Sequence, residues 1–411
     1  MKVRRTILKN RLNKTVAALA TGALLLVAVP VTGLASAGAA AKPVYVIGYE
    51  GPLSGSASQY GLNELGGAQL AVNVANASGK LPFTLKIAKF DDQGSGTLSP
   101  AQAQAAIATK NLVAIVGPAF SGATHAAAPF YSAANVAMVS PSATAAALAT
   151  GISNNNFMRL VYGDDVQGKA DADFLTKTKG ITSLAVIDDG SFYGAGVAQI
   201  VAQDATANGA TVKTSSLPQS SNCGGIASTT QYAPAATALV AAKTPAVFYG
   251  GYACDFGLLL GALKSAGYTG IIMSGDGSYD AALFTETTPV SATNGVYLSA
   301  ANAGSAANLT GALAAQYKAL TGIAPASALY DAQAFDATNM IIQSMLKIKL
   351  AGGLPLIRYN LKNELHAITY KGVTGTIHFQ SNGNLTGTGK GSIAIYQVTN
   401  AALPTTAIAS N

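Results

Sequence analysis

The amino-acid sequence predicts an α/β protein with mostly parallel sheets, arranged in two lobes. Short apolar segments alternate with segments of helical spacing, which is the βαβ pattern of parallel sheets. This alternation runs twice along the chain, with a loop near residues 154–165 between the two runs. The roughly 370 residues that follow an N-terminal targeting segment are also too many for one ordinary core.

The first 41 residues are predicted to be an export signal peptide. Six basic residues and no acid precede an apolar run from Val16 to Val31, and small residues follow as far as Ala41. The run is shorter than the ~20 residues of a membrane span and contains Pro30, which favours a cleaved signal over an anchor. We therefore expect a periplasmic or secreted protein that is soluble, without stable membrane insertion. Arg4-Arg5 also resembles a twin-arginine signal, so the export route stays open.

The charge of the chain gives no support for nucleic acid or an anionic membrane as a partner. The sequence has 25 basic and 18 acidic residues, and six of the basic ones lie in the signal, which leaves 19 against 18. A nearly neutral protein has no basic surface of the kind that nucleic acid or anionic lipid attracts.

The first run of elements contains four predicted strands with helices between them. The strands are predicted at residues 44–49, 83–92, 112–116 and 136–139, and the helices at 62–75, 99–110 and 122–134. The first helix ends at Ser78-Gly79, a common stop signal. Ser99 is predicted as an N-cap, because Pro100 follows it at a position that suits the first turn of a helix.

The second run repeats this order. Its strands are predicted at 183–187, 211–215, 246–249 and 271–274, and its helices at 194–207, 232–242 and 256–265. After Val296 we expect a further strand, helices near 309–320 and 328–350, and extended segments near 374–379 and 392–398.

Polar residues at the carboxyl ends of the strands are the candidate site, because the ligand crevice of an open parallel sheet lies there. The first run offers Glu50, Asp91, Ser121 and the turn 140–144, and the second offers Asp188, Tyr193, Tyr252 and Asp276. Hydroxyl groups dominate the first set. Carboxyl groups and tyrosines dominate the second set, so the two lobes are expected to contribute different chemistry.

The hydroxyl-rich segments suit an anion. Ser121 and the turn 140–144 are each predicted to open a helix, where free amides and the helix dipole favour a carboxylate. Ordinary N-capping is the alternative for both segments. Asp276 is predicted to accept hydrogen bonds from a ligand ammonium group, or else from its own glycine-flanked turn. Tyr60, Tyr193 and Tyr252 are predicted to wall an apolar side chain, or else to pack in the interior.

The sequence indicates neither an enzyme nor a metal or cofactor site. His125, His366 and His378 lack metal-ligand spacing, and the Gly-x-Ser-x-Gly, P-loop and dinucleotide-binding motifs are absent. We therefore expect no cofactor, no metal and no catalysis. An exported hydrolase that uses Asp276 with His125 is the enzymatic alternative.

The two cysteines, Cys223 and Cys254, are predicted to form a disulfide, because exported proteins usually pair a small even number of cysteines. Closing the intervening loop stabilises a protein by roughly 3 kcal/mol in the chain-entropy account. Two free thiols, or part of a metal site, are the alternatives.

Several segments resemble the periplasmic branched-chain amino-acid-binding proteins, the Leu/Ile/Val type of periplasmic binding protein fold I. The resemblance covers residues 44–398 and depends on the order and spacing of short motifs. These motifs are Ile47-Gly-Tyr-Glu-Gly-Pro-Leu-Ser-Gly55, Gln59-Tyr-Gly61, Val116-Gly-Pro118, Val139-Ser-Pro-Ser-Ala-Thr144, Phe157-Met-Arg159, Asp188-Asp-Gly-Ser-Phe-Tyr-Gly194 and Phe248-Tyr-Gly-Gly-Tyr252.

The resemblance implies two Rossmann-like lobes joined by a three-segment hinge. Lobe 1 would contain residues 42–163 plus 297–372, and lobe 2 residues 164–296 plus 373–411. It further implies a monomer that closes around an amino acid and delivers this small-molecule ligand to an ABC transporter permease.

The resemblance also implies a role for each matched residue. Ser121 and Thr144, with the backbone of Ser142 and with Ala143 of the same turn, would hold the ligand carboxylate. Asp276 would hold the ammonium group. Tyr60, Tyr193 and Tyr252 would surround the ligand, and Asp164 would lie near the hinge.

The ligand is less constrained than the fold. Asp276 is shorter than the glutamate often found at its position, and related proteins bind amides, urea, aromatic acids or other organic acids. A ligand of that kind is one alternative, and a sensor that presents its ligand to a receptor is another.

Overall fold

The computed structural model describes residues 41–152, 156–219, 231–301, 309–387, 389 and 391–411. Within these ranges, no helix combines the length and the apolar composition needed to cross a membrane. Residues 1–40 and Cys223 lie outside the described residues, so the export signal and the disulfide stay predictions.

The first sheet contains five strands that all run parallel. They are β1 (Val44–Gly51), β2 (Thr84–Asp91), β3 (Leu112–Val116), β4 (Ala137–Ser140) and β5 (Phe157–Arg159), in the spatial order β2-β1-β3-β4-β5. The helices that follow the first four strands are α1 (Ser58–Ala77), α2 (Ser99–Ala108), α3 (Ser121–Ala133) and α4 (Leu148–Gly151). Every residue of β3 and β4 is buried, as expected for strands covered on both faces.

The chain then forms α5 (Asp164–Asp173), which continues into a π-helical turn, Phe174–Thr178, and precedes the second sheet. Its parallel strands are β6 (Ser183–Asp188), β7 (Thr211–Ser216), β8 (Ala246–Gly250), β9 (Ile271–Ser274) and β10 (Tyr297–Ala301). The helices of this part are α6 (Phe192–Ala207), α7 (Tyr232–Ala241), α8 (Ala253–Ser265) and α9 (Ala282–Glu286).

The chain then returns to the first sheet. The next elements are α10 (Gly311–Thr321), α11 (Asp331–Lys347), α12 (Leu354–Ala367) and a hairpin of β11 (Tyr370–Gly372) and β12 (Gly375–Ile377). Ile341 of α11 and Leu361 of α12 lie in the same apolar core as Val113 and Val116 of β3. We therefore call the first sheet and the elements packed on it lobe 1.

The chain ends in the second sheet, which with its helices is lobe 2. Two antiparallel strands, β13 (Ile393–Gln397) and β14 (Ala409–Ser410), complete the spatial order β14-β13-β10-β9-β8-β6-β7. Ile377 and Phe379 still belong to the core of lobe 1, so the third crossing lies beyond Phe379 and later than the predicted boundary after residue 372. The boundaries near residues 163 and 296 stay predictions.

Several local predictions are wrong. Ser99 is not an N-cap but the first residue of α2, and its hydroxyl donates to Glu50 Oε1 (2.5 Å) and to the Ala123 carbonyl oxygen (3.0 Å). The turn 140–144 does not open a helix, because α4 begins only at Leu148. The helix predicted at 328–350 begins at Asp331, because Tyr330 has a left-handed backbone, with a φ of 67°. The sequence interpretation also missed α5, β5 and α12.

Candidate ligand-binding site

A small cavity lies between the two lobes. Lobe 1 contributes Tyr60, Ala119, Phe120, Ser121, Ser142, Thr144 and Tyr330 to its lining, and lobe 2 contributes Tyr193, Tyr252, Asp276 and Gly277. The structure thus brings together seven of the eight residues predicted to bind a ligand. The eighth, Ala143, does not line the cavity.

The lobe 1 wall presents hydrogen-bond donors. Ser121 is the first residue of α3, and its Oγ accepts a hydrogen bond from the Ala145 N–H at 3.1 Å. Within the described residues, neither the Ser121 N–H, nor its hydroxyl proton, nor the Thr144 N–H has an acceptor. These donors belong to residues that line the cavity, so this wall suits an anion.

The rest of the turn 140–144 bonds to the protein itself. The Ser142 hydroxyl donates to the Ala119 carbonyl oxygen at 2.7 Å. The Ser140 hydroxyl donates to the Pro118 carbonyl oxygen at 2.7 Å and accepts from the Ala143 N–H at 3.0 Å. The Ala143 N–H is therefore occupied, which explains why this residue of the predicted set does not serve the cavity.

The lobe 2 wall is built around the carboxyl group of Asp276, which follows β9. Tyr193 at the start of α6 donates its hydroxyl to Asp276 Oδ1 at 2.7 Å. Tyr330 of lobe 1 donates to Asp276 Oδ2 at 2.5 Å. Burial raises the pKa of Asp276, while hydrogen bonds from Tyr330, Tyr193 and Gln167 act in the opposite direction. These hydroxyl groups therefore favour the ionised carboxylate.

Aromatic rings from both lobes enclose the cavity. The Tyr60 hydroxyl donates to the backbone oxygen of Asp276 at 3.0 Å, which joins lobe 1 to lobe 2. Phe120 of lobe 1 stacks on Tyr252 of lobe 2, with ring centroids 4.5 Å apart and an interplanar angle of 9°. These three rings and Tyr193 also line a wider cleft of about 1550 Å³. The stacked pair thus stands between the small cavity and this cleft.

Comparison with known proteins identifies the family. The profile of the periplasmic binding protein family matches residues 44–402, nearly all of the chain described here. The chain belongs to this family. Its curated relatives include the Leu/Ile/Val-binding protein homolog 3 of Brucella melitensis, 28% identical over 56% of this chain and 61% of the relative. The leucine-, isoleucine-, valine-, threonine- and alanine-binding protein of Pseudomonas aeruginosa is 28% identical over 62% of this chain and 65% of the relative. The matches therefore span less than two thirds of these relatives' length.

A solved structure supports the type I fold of this periplasmic binding protein. The branched-chain amino acid transporter substrate-binding protein LivJ of Streptococcus pneumoniae, solved in complex with isoleucine, superimposes with a TM-score of 0.74. The match covers 89% of this chain and 98% of LivJ at 22% sequence identity. At this identity the likeness concerns the fold.

The predicted hinge residue, Asp164, begins α5 next to the cavity. Its N–H donates to the Thr144 carbonyl oxygen at 2.8 Å, so it holds the lobe 1 turn directly. Within the described residues, the Thr144 hydroxyl is the one side-chain group close enough to stabilise the Asp164 carboxylate by hydrogen bonding. Burial, reinforced by the nearby Asp276 carboxylate, raises the pKa of Asp164 to about 8, while the Thr144 hydroxyl and the Arg159 charge act in the opposite direction. No lysine or arginine is among the residues that line the cavity.

Other residues singled out in this periplasmic binding protein lie away from the cavity. Asp91 accepts hydrogen bonds from the N–H groups of Leu53 and Ser54 in the loop after β1 and of Gln93 in its own loop. Asp188 at the end of β6 accepts one from the Gly190 N–H. Glu50 is enclosed behind the lobe 1 wall. His125 is exposed and stacks on Phe192, with ring centroids 4.5 Å apart. The pairing of His125 with Asp276 that a hydrolase would need is therefore not formed.

Sequence reasoning missed two partners of Asp276. Tyr330 lies in a left-handed backbone conformation that tyrosine rarely adopts, so no pattern in the sequence signals it. Gln167 lies in α5, an element that the sequence interpretation left out. Its amide donates to the Ser299 hydroxyl at 2.9 Å and also stabilises the Asp276 carboxylate. Within the described residues, no group of three or more His, Cys, Asp or Glu could hold a metal ion.

Proposed function

We propose that this periplasmic binding protein captures an amino acid, branched-chain or similar, and delivers it to the permease of an ABC transporter. The observation that carries the proposal is the contrast between the two walls of the cavity. On one side lie the N–H and hydroxyl of Ser121 and the N–H of Thr144, which have no acceptor within the described residues, and on the other side lies the Asp276 carboxyl group. A zwitterion carries the two complementary charges.

The aromatic lining of the cavity supports a ligand with an apolar side chain. The rings of Tyr60, Phe120, Tyr193 and Tyr252 would surround an apolar side chain. The two relatives compared above are named for binding leucine, isoleucine and valine, and their names agree with a ligand that has an apolar side chain.

The proposed mechanism is closure of the lobes about the three crossings near residues 163 and 296 and beyond Phe379. A ligand that contacts both walls binds the closed form more tightly than the open form, so it shifts the population towards closure. A change from 1:99 to 99:1 requires a difference of about 5.5 kcal/mol. The permease would then recognise the closed form in the periplasm or at the cell surface, after removal of the export signal.

The proposal is tested by titration calorimetry of the mature protein with L-isoleucine and two truncated analogues. The analogue 3-methylpentanoate lacks the ammonium group, and 2-methylbutylamine lacks the carboxylate. We expect isoleucine to bind at least about 100-fold more tightly than either analogue, because hydrogen bonds to charged groups contribute about 1.5–3 kcal/mol each. Equal affinity for isoleucine and either analogue would contradict the two-wall arrangement. If neither isoleucine nor leucine, valine, threonine or alanine bound, the amino-acid proposal would fail.

We also propose that Cys223 pairs with Cys254, which lies buried in the first turn of α8. An oxidising extracytoplasmic compartment supports the pairing. Peptide mass spectrometry without reduction should yield one cross-linked pair of peptides. Alkylation of either cysteine in the unfolded, unreduced protein would contradict it.

A further inference from the structure

Arg159, at the end of β5, is a buried cation directly behind the lobe 1 wall. Its side chain is fully buried, and its Nη1 donates to the carbonyl oxygens of Ala143, Thr144 and Ala145 at 3.3, 2.7 and 2.9 Å. Its Nε donates to Asn384 Oδ1 at 2.8 Å. Within the described residues it makes no direct ion pair with a carboxylate, although the nearby Asp164 and Asp165 carboxyl groups favour its charged form. Removing a guanidinium from water is unfavourable even beside such neighbours, so its position calls for an explanation.

The carbonyl groups that Arg159 contacts control the donors of the cavity. In a planar trans peptide, the C=O of one residue and the N–H of the next point in opposite directions. Arg159 holds the Ala143 carbonyl oxygen, so the N–H of Thr144, which has no acceptor within the described residues, points away from the guanidinium. Thr144 lines the cavity.

Arg159 also orients the Ser121 hydroxyl, through the next peptide group of the turn. Arg159 holds the Thr144 carbonyl oxygen, and the N–H of the same peptide group belongs to Ala145. That N–H donates to Ser121 Oγ at 3.1 Å, which occupies the oxygen as an acceptor and leaves its proton free to donate. Through two peptide groups, Arg159 therefore orients both the Thr144 N–H and the Ser121 hydroxyl.

We propose that Arg159 is the positioning residue that makes this site selective for a ligand carboxylate. It orients the donors of the turn and supplies positive charge behind them without touching the ligand. Residues that line the cavity include no lysine or arginine, so Arg159 supplies the cationic charge from the layer behind. This inference rests on the proposed function, because it assumes a ligand with a carboxylate at the lobe 1 wall.

The experiment compares two ligands and three variants. L-isoleucine and L-isoleucinamide differ in the group that would meet Ser121 and Thr144, which is a charged carboxylate in the first and a neutral carboxamide in the second. We expect Arg159→Gln to lower isoleucine affinity at least tenfold and isoleucinamide affinity much less, so that the preference for the carboxylate shrinks. Arg159→Lys keeps the charge but loses the Nε bond to Asn384 that fixes the direction of the side chain, so we expect its preference to lie between those of Arg159→Gln and wild type.

Arg358→Gln is the matched control. The buried Arg358 guanidinium likewise donates to backbone carbonyl oxygens, those of Leu112 (2.9 Å) and Ile107 (3.2 Å), but it does not line the cavity. This variant should lose stability and keep the full carboxylate preference.

The outcomes separate the inference from the proposed function. If Arg159→Gln weakens both ligands by the same factor, or neither, Arg159 is structural only and the inference is wrong. If Arg159→Gln does not fold, the ratio of the two affinities in Arg159→Lys against wild type decides in the same way. Absence of isoleucine binding in wild type would instead remove the proposed function.

Discussion

Glu50 and Asp276 are two buried carboxyl groups with similar surroundings and different positions relative to the cavity. Glu50 is the penultimate residue of β1 in lobe 1 and accepts hydrogen bonds from the hydroxyls of Ser99 and Tyr131. Asp276 follows β9 in lobe 2 and accepts them from Tyr193 and Tyr330. Both are almost fully buried, and burial raises the pKa of both.

The difference lies in what else each carboxyl group can reach. Asp276 lines the cavity opposite donors that have no acceptor in the described part of the chain, whereas Glu50 is enclosed by α2 and α3 and does not line the cavity. A buried carboxyl at the end of a strand is therefore insufficient to indicate a ligand site. Access to a cavity, and complementary groups on its opposite wall, distinguish the carboxyl group that we propose to bind a ligand from the enclosed one.

The largest expected effect is the loss of binding in Asp276→Asn. The change removes the charge that would meet a ligand ammonium and keeps the size of the side chain, so isoleucine affinity should fall about 100-fold, or about 2.7 kcal/mol. Calorimetry measures the affinity. Glu50→Gln is the matched control and should bind isoleucine as wild type does. Equal losses in both variants would abolish the distinction between the two carboxyl groups.

Glu50→Gln should instead change how stability depends on pH. Burial raises the pKa of Glu50 to about 8 from 4.5, so between these values the folded protein binds a proton that the unfolded chain releases. Stability therefore falls as pH rises through this window. The variant should remove a slope of up to about 1.4 kcal/mol per pH unit.

Urea denaturation at pH 5, 6, 7 and 8 measures this slope. Glu286→Gln, on the half-buried side chain at the end of α9, is the control and should keep the slope of wild type. A Glu50→Gln protein with an unchanged slope would show that this carboxyl group does not hold its proton in the folded state.

The comparison of Glu50 with Asp276 also shows which features of the site could be predicted from the sequence. Glu50 and Asp276 were both recognisable as polar residues at strand ends, because strand positions follow from apolar runs. Which of them lines a cavity depends on Ser99 and Tyr131, which come from other elements and enclose Glu50. The prediction of Ser99 as an N-cap failed for this reason, since its hydroxyl bonds to Glu50 instead of its own helix.

The turn 140–144 shows a related limit. The prediction that this turn lies at the candidate site agrees with Ser142 and Thr144 lining the cavity, but the predicted helix start is wrong. The turn is held by Arg159, whose motif Phe157-Met-Arg159 was visible but whose contacts are not local in sequence. Tyr330 could not be found, because its left-handed backbone results from tertiary packing and not from residue preference.

A smaller effect is expected from serines at the first residue of two helices. Ser121 in α3 has a free hydroxyl proton at the cavity, whereas Ser99 in α2 bonds to Glu50 and to the Ala123 carbonyl oxygen. Ser121→Ala should lower isoleucine affinity about tenfold, or about 1.4 kcal/mol. Ser99→Ala should keep the affinity and lose about 1–3 kcal/mol of stability, since it leaves a buried acceptor unpaired. Calorimetry and urea denaturation of both variants measure the two effects, and the reverse pattern would contradict the assignment of the two hydroxyls.

The smallest expected effect concerns Tyr60 and Tyr330, two tyrosines of lobe 1 whose hydroxyls both donate hydrogen bonds to Asp276. Tyr330 donates to the carboxylate and Tyr60 to the backbone oxygen. Of these two hydroxyls, therefore, only that of Tyr330 lowers the pKa of the carboxyl group. Tyr330→Phe should weaken isoleucine binding about threefold at pH 7, or about 0.7 kcal/mol, because the ionised carboxylate loses a donor.

The pH below which the affinity of Tyr330→Phe falls should also move upwards, because the carboxyl group becomes protonated at a higher pH. Tyr60→Phe should leave that pH unchanged. Calorimetric affinities from pH 5 to 8 compare the two variants, and coincident pH profiles would mean that the hydroxyl of Tyr330 joins the lobes without tuning the charge at Asp276.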